Sequence, residues 1–227
     1  PMEQQGFGNG QMDEPMKDYS QNGEQAHILH YLGTMGIKKG HLVDLGAGDG
    51  YTMSNTRALL ELGWTGTLVD GNPQGAKDVH KAWITRDWLR MSMSLWSDGY
   101  SDFVNLDLDG NDYWILRELL FGTKAENRPA LIVCEINPIF QRDEAVVMPY
   151  NEAHVWQEDQ YYGMSLAACE QLASKYGYTL AYLHAGINAF LLRNDHAEKH
   201  PELIRPIEYR VKHDHRPHSP EKVWMRL

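Results

Sequence analysis

The stretch Leu42-Val43-Asp44-Leu45-Gly46-Ala47-Gly48-Asp49-Gly50 decides the fold of this 227-residue chain. A short apolar run ends in a glycine-rich turn, and a helical pattern with Ala58, Leu59 and Leu62 follows and stops at Gly63. A buried strand that delivers a ligand to a helix N-terminus reads this way. The glycines allow φ > 0 and let backbone approach a ligand with no Cβ in the way. The spacing Gly46-x-Gly48-x-Gly50 is tighter than the Gly-x-Gly-x-x-Gly of dinucleotide-binding turns. No Lys accompanies it, which excludes a phosphate-binding P-loop.

The same alternation extends in both directions. Upstream, Asn22 with Gln25 reads as a capping box for a helix whose stripe is Ile28, Leu29, Leu32 and Met35, ended by Gly36. Downstream, Thr67–Asp70 reads as a second strand, a weak helix spans Ala76–Lys81, and Ala82–Thr85 is a third strand. Phe103–Leu108 is a fourth strand, and Tyr113–Phe121 is helical. Ala130–Ile136 is the most apolar strand, as a strand buried on both faces should be. An irregular segment over Asn137–Gln160 precedes a helix at Ser165–Tyr176 that Gly177 terminates. Tyr178–His184 and Ile187–Arg193 flank Ala185-Gly186 as a hairpin. Strands alternating with helices and closed by a hairpin predict an α/β domain, with a mostly parallel sheet and one antiparallel strand near its edge.

Composition bounds the function. A formal net charge of −10 argues against a broad phosphate-tracking surface, so nucleic acid is not an expected partner. No apolar run is long enough for a membrane span, and no basic-then-apolar leader opens the sequence. Pro1 cannot initiate translation, so Pro1-Met2 reads as a cleavage remnant. Cys134 and Cys169 sit in apolar patterns and read as buried free thiols of a reducing compartment, which predicts a cytoplasmic protein. We divide the chain into a flexible lead-in at 1–19, a catalytic domain at 20–195 and a Pro/His-rich tail at 196–227.

In open α/β sheets ligands bind at the carboxyl ends of the strands, so the acids there are the candidates. Asp70 ends the second strand, where a carboxylate can accept hydrogen bonds from paired hydroxyls such as those of a ribose; it also begins a good turn, Asp70-Gly71-Asn72-Pro73. Asp44 either approaches the ligand or braces the loop. Asp107, Asp109 and Asp112 crowd one strand end, a costly arrangement unless a cation, ligand or water compensates. The next strand ends in Glu135-Ile136-Asn137. Adjacent parallel strands bring Asp107, Glu135 and Asn137 to one sheet edge, an all-oxygen set suited to Mg²⁺ or another hard divalent cation. Such a cation holds a substrate hydroxyl and lowers its pKa. His154, beside Trp156, Tyr161 and Tyr162, is a candidate base or a solvated loop residue. His213, His215 and His218 match no zinc pattern.

Asp44-Leu45-Gly46-x-Gly48-x-Gly50 resembles the first motif of S-adenosylmethionine-dependent methyltransferases. Asp107-Leu108-Asp109-Gly110-Asn111-Asp112-Tyr113-Trp114 is similar to a segment of the FkbM-like branch. So are Glu135-x-Asn137, Val147-Met148-Pro149-Tyr150, Tyr162-Gly163-x-Ser165-Leu166 and Gly186-Ile187-Asn188-Ala189-Phe190. Tyr19-Ser20-Gln21-Asn22-Gly23-Glu24 resembles that branch's opening motif beside the cofactor pocket. The likeness runs from Tyr19 to Asp195, and the tail has no counterpart. Leu108 replaces the usual Ile, a volume-conserving change.

The resemblance implies a Rossmann-like seven-stranded sheet of order 3-2-1-4-5-7-6 with helices on both faces. It implies S-adenosylmethionine held by Gln21, Asp44, Gly46, Gly48, Asp49, Gly50, Asp70 and Asn72. The acceptor, a small molecule or saccharide, would be methylated on oxygen with Asp107, Glu135 and His154 in catalytic roles. Methyl transfer to nitrogen, or nucleoside binding without catalysis, are the alternative readings. A dinucleotide oxidoreductase is disfavoured by the glycine spacing.

Overall fold

The computed structural model of the chain describes residues 16–92, 101–212 and 221–227. Seven strands form one sheet: β1 (His41–Leu45), β2 (Thr65–Asp70), β3 (Val79–Lys81), β4 (Phe103–Leu106), β5 (Leu131–Glu135), β7 (Tyr178–His184) and β8 (Asn188–Arg193). Their order is β3-β2-β1-β4-β5-β8-β7. The two-residue strand β6 (Val146–Val147) lies outside this sheet and pairs with β9 (Met225–Arg226). With β6 set aside, the order is the expected 3-2-1-4-5-7-6. All pairs are parallel except those of β8, which runs antiparallel to both β5 and β7.

Period-2 alternation in the strands explains the layers. In β1, Val43 and Leu45 pack on one face of the sheet, against Ile115 and Leu116 of α4 (Asp112–Gly122) and Leu172 of α5 (Leu166–Lys175). Leu42 packs on the other face, with Ile28, Tyr31 and Leu32 of α1 (Glu24–Thr34) and Leu59 of α2 (Arg57–Glu61). Both faces are covered, so the architecture is a Rossmann-like α/β sandwich. Ser165 caps α5 by accepting from the Ala168 N–H, and Gly177, at φ 82°, ends it. Ala185 and Gly186, both at positive φ, make the two-residue hairpin turn closed by Ile187 N to His184 O at 3.0 Å.

Several boundaries depart from the sequence reading. The third strand is Val79–Lys81, not Ala82–Thr85, and no helix occupies Ala76–Lys81. Gln74 and Gly75 instead turn at positive φ, and a helix not expected from the pattern, α3 (Arg86–Ser92), follows the strand. Asn22 does not cap α1; Gly23, at φ 89°, holds that position. Beyond the hairpin, α6 (Asn194–Lys199) leads to an extended segment that lies on the domain: Leu203 is buried, and Arg205 N donates to Ala181 O and Lys212 N to Pro138 O. Residues 1–15 of the lead-in and His213, His215 and His218 lie outside the described residues. Among the described residues, no helix is long and apolar enough to cross a membrane.

Candidate active site

A cavity of about 470 Å³ opens at the carboxyl ends of β1, β2 and β4. The glycine loop forms its floor. Gly46 N and Ala47 N both donate to Val69 O, at 2.9 and 3.1 Å, and Gly48 N donates to Asp70 Oδ2 at 2.9 Å. The loop is thus stitched to β2 and does not open directly into a helix, as its sequence suggests. The first helical residue is Arg57, and α2 has only five residues. Two glycines serve different ends. A Cβ at Gly46 would lie 1.6 Å from Asp107 O, so this glycine lets the loop pack on the end of β4. A Cβ at Gly48 would meet nothing within 4 Å; its space belongs to the cavity.

Asp70 lines the cavity, and its second oxygen accepts from Asn72 N at 2.6 Å, so it is both turn and wall. Asp44 is buried at 1% exposure, with Thr56 Oγ1 donating to one oxygen at 2.6 Å and Asn105 Nδ2 to the other at 2.9 Å. Burial raises its pKa to about 6 against those two hydrogen bonds. Gln21, Asn72, Trp83 and Ile84 complete this half of the cavity. Asp49 and Gly50 do not line it. The Asp49 carboxylate turns away to accept from Tyr51 N, Thr52 N and Thr52 Oγ1, and both residues border a separate cleft against β3.

Asp107 and Asp109 line the other half; Glu135 does not line the cavity but sits beside them at the same sheet edge. Oxygens of Asp107, Asp109 and Glu135 all lie within 4.8 Å of one another. Burial first, and then the neighbouring carboxylates, push Asp107 and Glu135 well above the usual carboxylate range; the same causes raise Asp109 to about 6. Asp107 and Glu135 contact each other directly, which is attractive only when one carries a proton. Glu135 Oε2 is buried with no hydrogen-bond partner among the described residues. Asn137 is not in this group. It is fully buried, its Nδ2 donates to the carbonyls of Gln160 and Tyr162, and its Oδ1 accepts from Ile139 N, so it braces the loop. Asp112 is likewise structural: its two oxygens accept from Leu108 N and Gly110 N.

His154 lines the cavity above Asp109, its ring packed so closely on Gly110 that a Cβ there would fall 2.4 Å from the imidazole. Burial lowers its pKa, and its Nε2 is buried without a partner. Asn111 holds this loop from both sides, donating to Asn151 O and accepting from Asn151 N. Trp156 also lines the cavity, whereas the Tyr161 hydroxyl donates to Val223 O. Cys134 and Cys169 are buried, free and 3.5 Å apart.

Sequence reasoning missed Asp109 as a member of the acid group, and also Asn105, Asn111, Met53 and Trp83. Asn105 had a signal: a lone amide in the apolar run Phe103-Val104-Asn105-Leu106. Trp83 and Met53 come from irregular backbone, Met53 at φ 53°, and carried none.

No family model and no curated protein matches the chain. Solved structures do. A ribosomal protein L11 methylase from Lactobacillus delbrueckii subsp. bulgaricus is 15% identical over 76% of this chain and 80% of its own, with a TM-score of 0.42. Burkholderia thailandensis 1,6-didemethyltoxoflavin-N1-methyltransferase, with 1,6-didemethyltoxoflavin and S-adenosylhomocysteine bound, is 14% identical over 74% of each chain, at 0.42. The N-terminal domain of EvdMO1, determined with S-adenosylhomocysteine and D-fucose, is 12% identical over 74% of this chain and 81% of its own, at 0.44.

Proposed function

We propose that this chain is an S-adenosylmethionine-dependent methyltransferase of FkbM-like type that methylates a hydroxyl of a small-molecule or saccharide acceptor. The observation that carries the reading is the Asp70–Gly48 clamp beside an open Cβ position, in a cavity whose far wall holds Asp107 and Asp109, with Glu135 beside them. Asp70, Asn72, Trp83 and Ile84 would hold the nucleoside, and Gly46 and Gly48, with Asp44 and Gln21, would hold the amino-acid end.

When bound, S-adenosylmethionine supplies a methyl carbon on a cationic sulfur. Displacement of that sulfur by an acceptor hydroxyl would release the hydroxyl proton, and this chain's residues would orient the hydroxyl and take the proton. Asp107, Asp109 and Glu135 orient the hydroxyl. Asp107 and Glu135, both held well above the usual carboxylate range, would take up the hydroxyl proton between them, and His154 Nε2 is the other acceptor beside them. The three carboxylates also fit a hard divalent cation, since the orphaned Glu135 Oε2 lacks any protein donor among the described residues. There it would neutralise charge and lower the pKa of the hydroxyl.

The test is calorimetric titration with S-adenosylhomocysteine and, separately, NAD, followed by transfer of labelled methyl to a panel of glycosides. Binding of the first alone and labelling of a hydroxyl support the reading. Absence of S-adenosylhomocysteine binding rejects it.

A further inference from the structure

Glu24 is a fully buried carboxylate with no part in the chemistry above. One oxygen accepts from Asn22 N at 2.7 Å; the other accepts from Asn22 Nδ2 at 3.0 Å and from Asn188 Nδ2, on β8, at 2.9 Å. His184 Nε2 lies 2.9 Å from Asn22 O, so the end of the β7–β8 hairpin grips the same residue from the other side. Next to Glu24, Gln25 reaches back: its Oε1 accepts from Tyr19 N, its Nε2 donates to Lys17 O, and its own N–H donates to Ser20 Oγ. Tyr19 OH donates to Glu61 Oε1 on α2 at 2.8 Å.

These bonds fasten residues 17–23, a stretch with no secondary structure of its own, to α1, α2 and the β7–β8 hairpin. Gln21, at the crest, lines the cavity beside the glycine loop. A buried carboxylate must be compensated by donors, and here most of the donors come from the strap itself. The burial of Glu24 therefore depends on the strap being closed. When the strap lifts, Glu24 loses its two Asn22 donors while remaining anchored to α1.

We propose that Glu24 is a positioning residue, the clasp of an N-terminal strap whose closure over Gln21 retains the nucleoside cofactor. The inference rests on the cofactor reading above. It assigns the strap a role in cofactor residence, with Asn188 as the fixed half of the clasp.

The test uses the full chain and S-adenosylhomocysteine. Lys17 is the first tryptic site, so cleavage there reports strap opening directly. In the wild type the ligand should slow cleavage after Lys17. Glu24→Gln places an amide donor against the Asn22 donors and should raise the dissociation constant about tenfold, as loss of a charged hydrogen bond does. It should also speed cleavage after Lys17 and abolish its protection by ligand. If Glu24→Gln fails to fold, Asn22→Ala, at an exposed position, decides: it should show the same two changes in smaller degree with an unchanged melting temperature. Gln21→Ala should weaken binding while leaving cleavage at the wild-type rate, because the clasp is intact. Wild-type affinity and wild-type cleavage in the clasp variants overturn the proposal. Failure of the wild type to bind ligand instead overturns the cofactor reading, so the two failures are distinct.

Discussion

Gly48 N and Asp70 Oδ2, 2.9 Å apart, tie the loop after β1 to the end of β2. The carboxylate spends one oxygen on the loop and one on Asn72 N, and it still faces the cavity. A single side chain thus ties the loop to the turn after β2 while lining the cavity.

Asp70→Ala should weaken S-adenosylhomocysteine binding by about 1.5–3 kcal/mol, the worth of hydrogen bonds to a charged group. Calorimetry would read this as a loss of roughly one to two orders of magnitude. Asp70→Asn should fall between, since an amide retains one acceptor oxygen. Equal affinity for all three proteins would place the ribose elsewhere.

Gly46 and Gly48 should separate folding from binding. Gly46→Ala drives a methyl group into Asp107 O at a φ of 93°, so its melting temperature should drop sharply. Gly48→Val also bears a cost for its φ of 55°, but its side chain points into open space, so the fold survives and the ligand is displaced. Circular dichroism melts and binding isotherms measured on both variants would test the split. Binding by Gly48→Val would refute it.

Six of the seven strands were legible in the sequence because each carries a short apolar run, densest in β1, β4 and β5, whereas β3, Val79-His80-Lys81, has one buried residue and no such run. The hairpin at Ala185-Gly186 and the helix stop at Gly177 were legible from equally local signals, their glycines. The cavity's lining was legible only where a strand end fixes a side chain, as with Asp70 and Asp107. Asn137 misled because strand-end position does not determine direction; two carbonyls of the facing loop claim its amide. Asn22 misled because a capping-box spacing says nothing of Glu24, whose carboxylate takes the donors that a cap would use. Asp109 reaches the acid group through a left-handed backbone, φ 51°, which no periodicity announces.

Asp44 makes stability depend on pH in a direction opposite to a salt-bridged acid. Its pKa rises from 3.8 to about 6 on folding, so the folded state holds the proton more tightly. Stability from this group is fully present below pH 4 and is lost as pH rises through about 6, by roughly 3 kcal/mol at most. Asp44→Asn removes the titration while keeping a donor and an acceptor for Asn105 and Thr56. Denaturant melts between pH 4 and pH 7 should therefore show a smaller decline for Asp44→Asn than for the wild type. Parallel curves would show that Asp44 is not the group responsible.

The acid group yields the most demanding prediction. Asp107, Asp109 and Glu135 are all held above the ordinary carboxylate range, so each proton they retain near neutrality offsets mutual repulsion. Neutralising one member should relieve that repulsion, so Glu135→Gln should match or exceed wild-type thermal stability. Loss of activity in that variant could not then be blamed on unfolding. Asp107→Asn and Glu135→Gln should keep S-adenosylhomocysteine affinity within about threefold, because the nucleoside half of the cavity is untouched. Both should reduce methyl transfer by about two orders of magnitude or more, the range lost with a proton-transfer or alignment role. Mg²⁺ or Mn²⁺ separates the two forms of the idea. If a cation binds, either metal should raise the wild-type melting temperature at pH 7 more than at pH 5, where protons compete for the same oxygens, and neither variant should respond. If the carboxyls work as a metal-free base, a chelator should leave wild-type transfer unchanged, and transfer should fall as pH drops and the carboxyls become protonated. Full transfer by both variants on an identified acceptor would rule out either form and leave the acids as braces for the turn at Gly110.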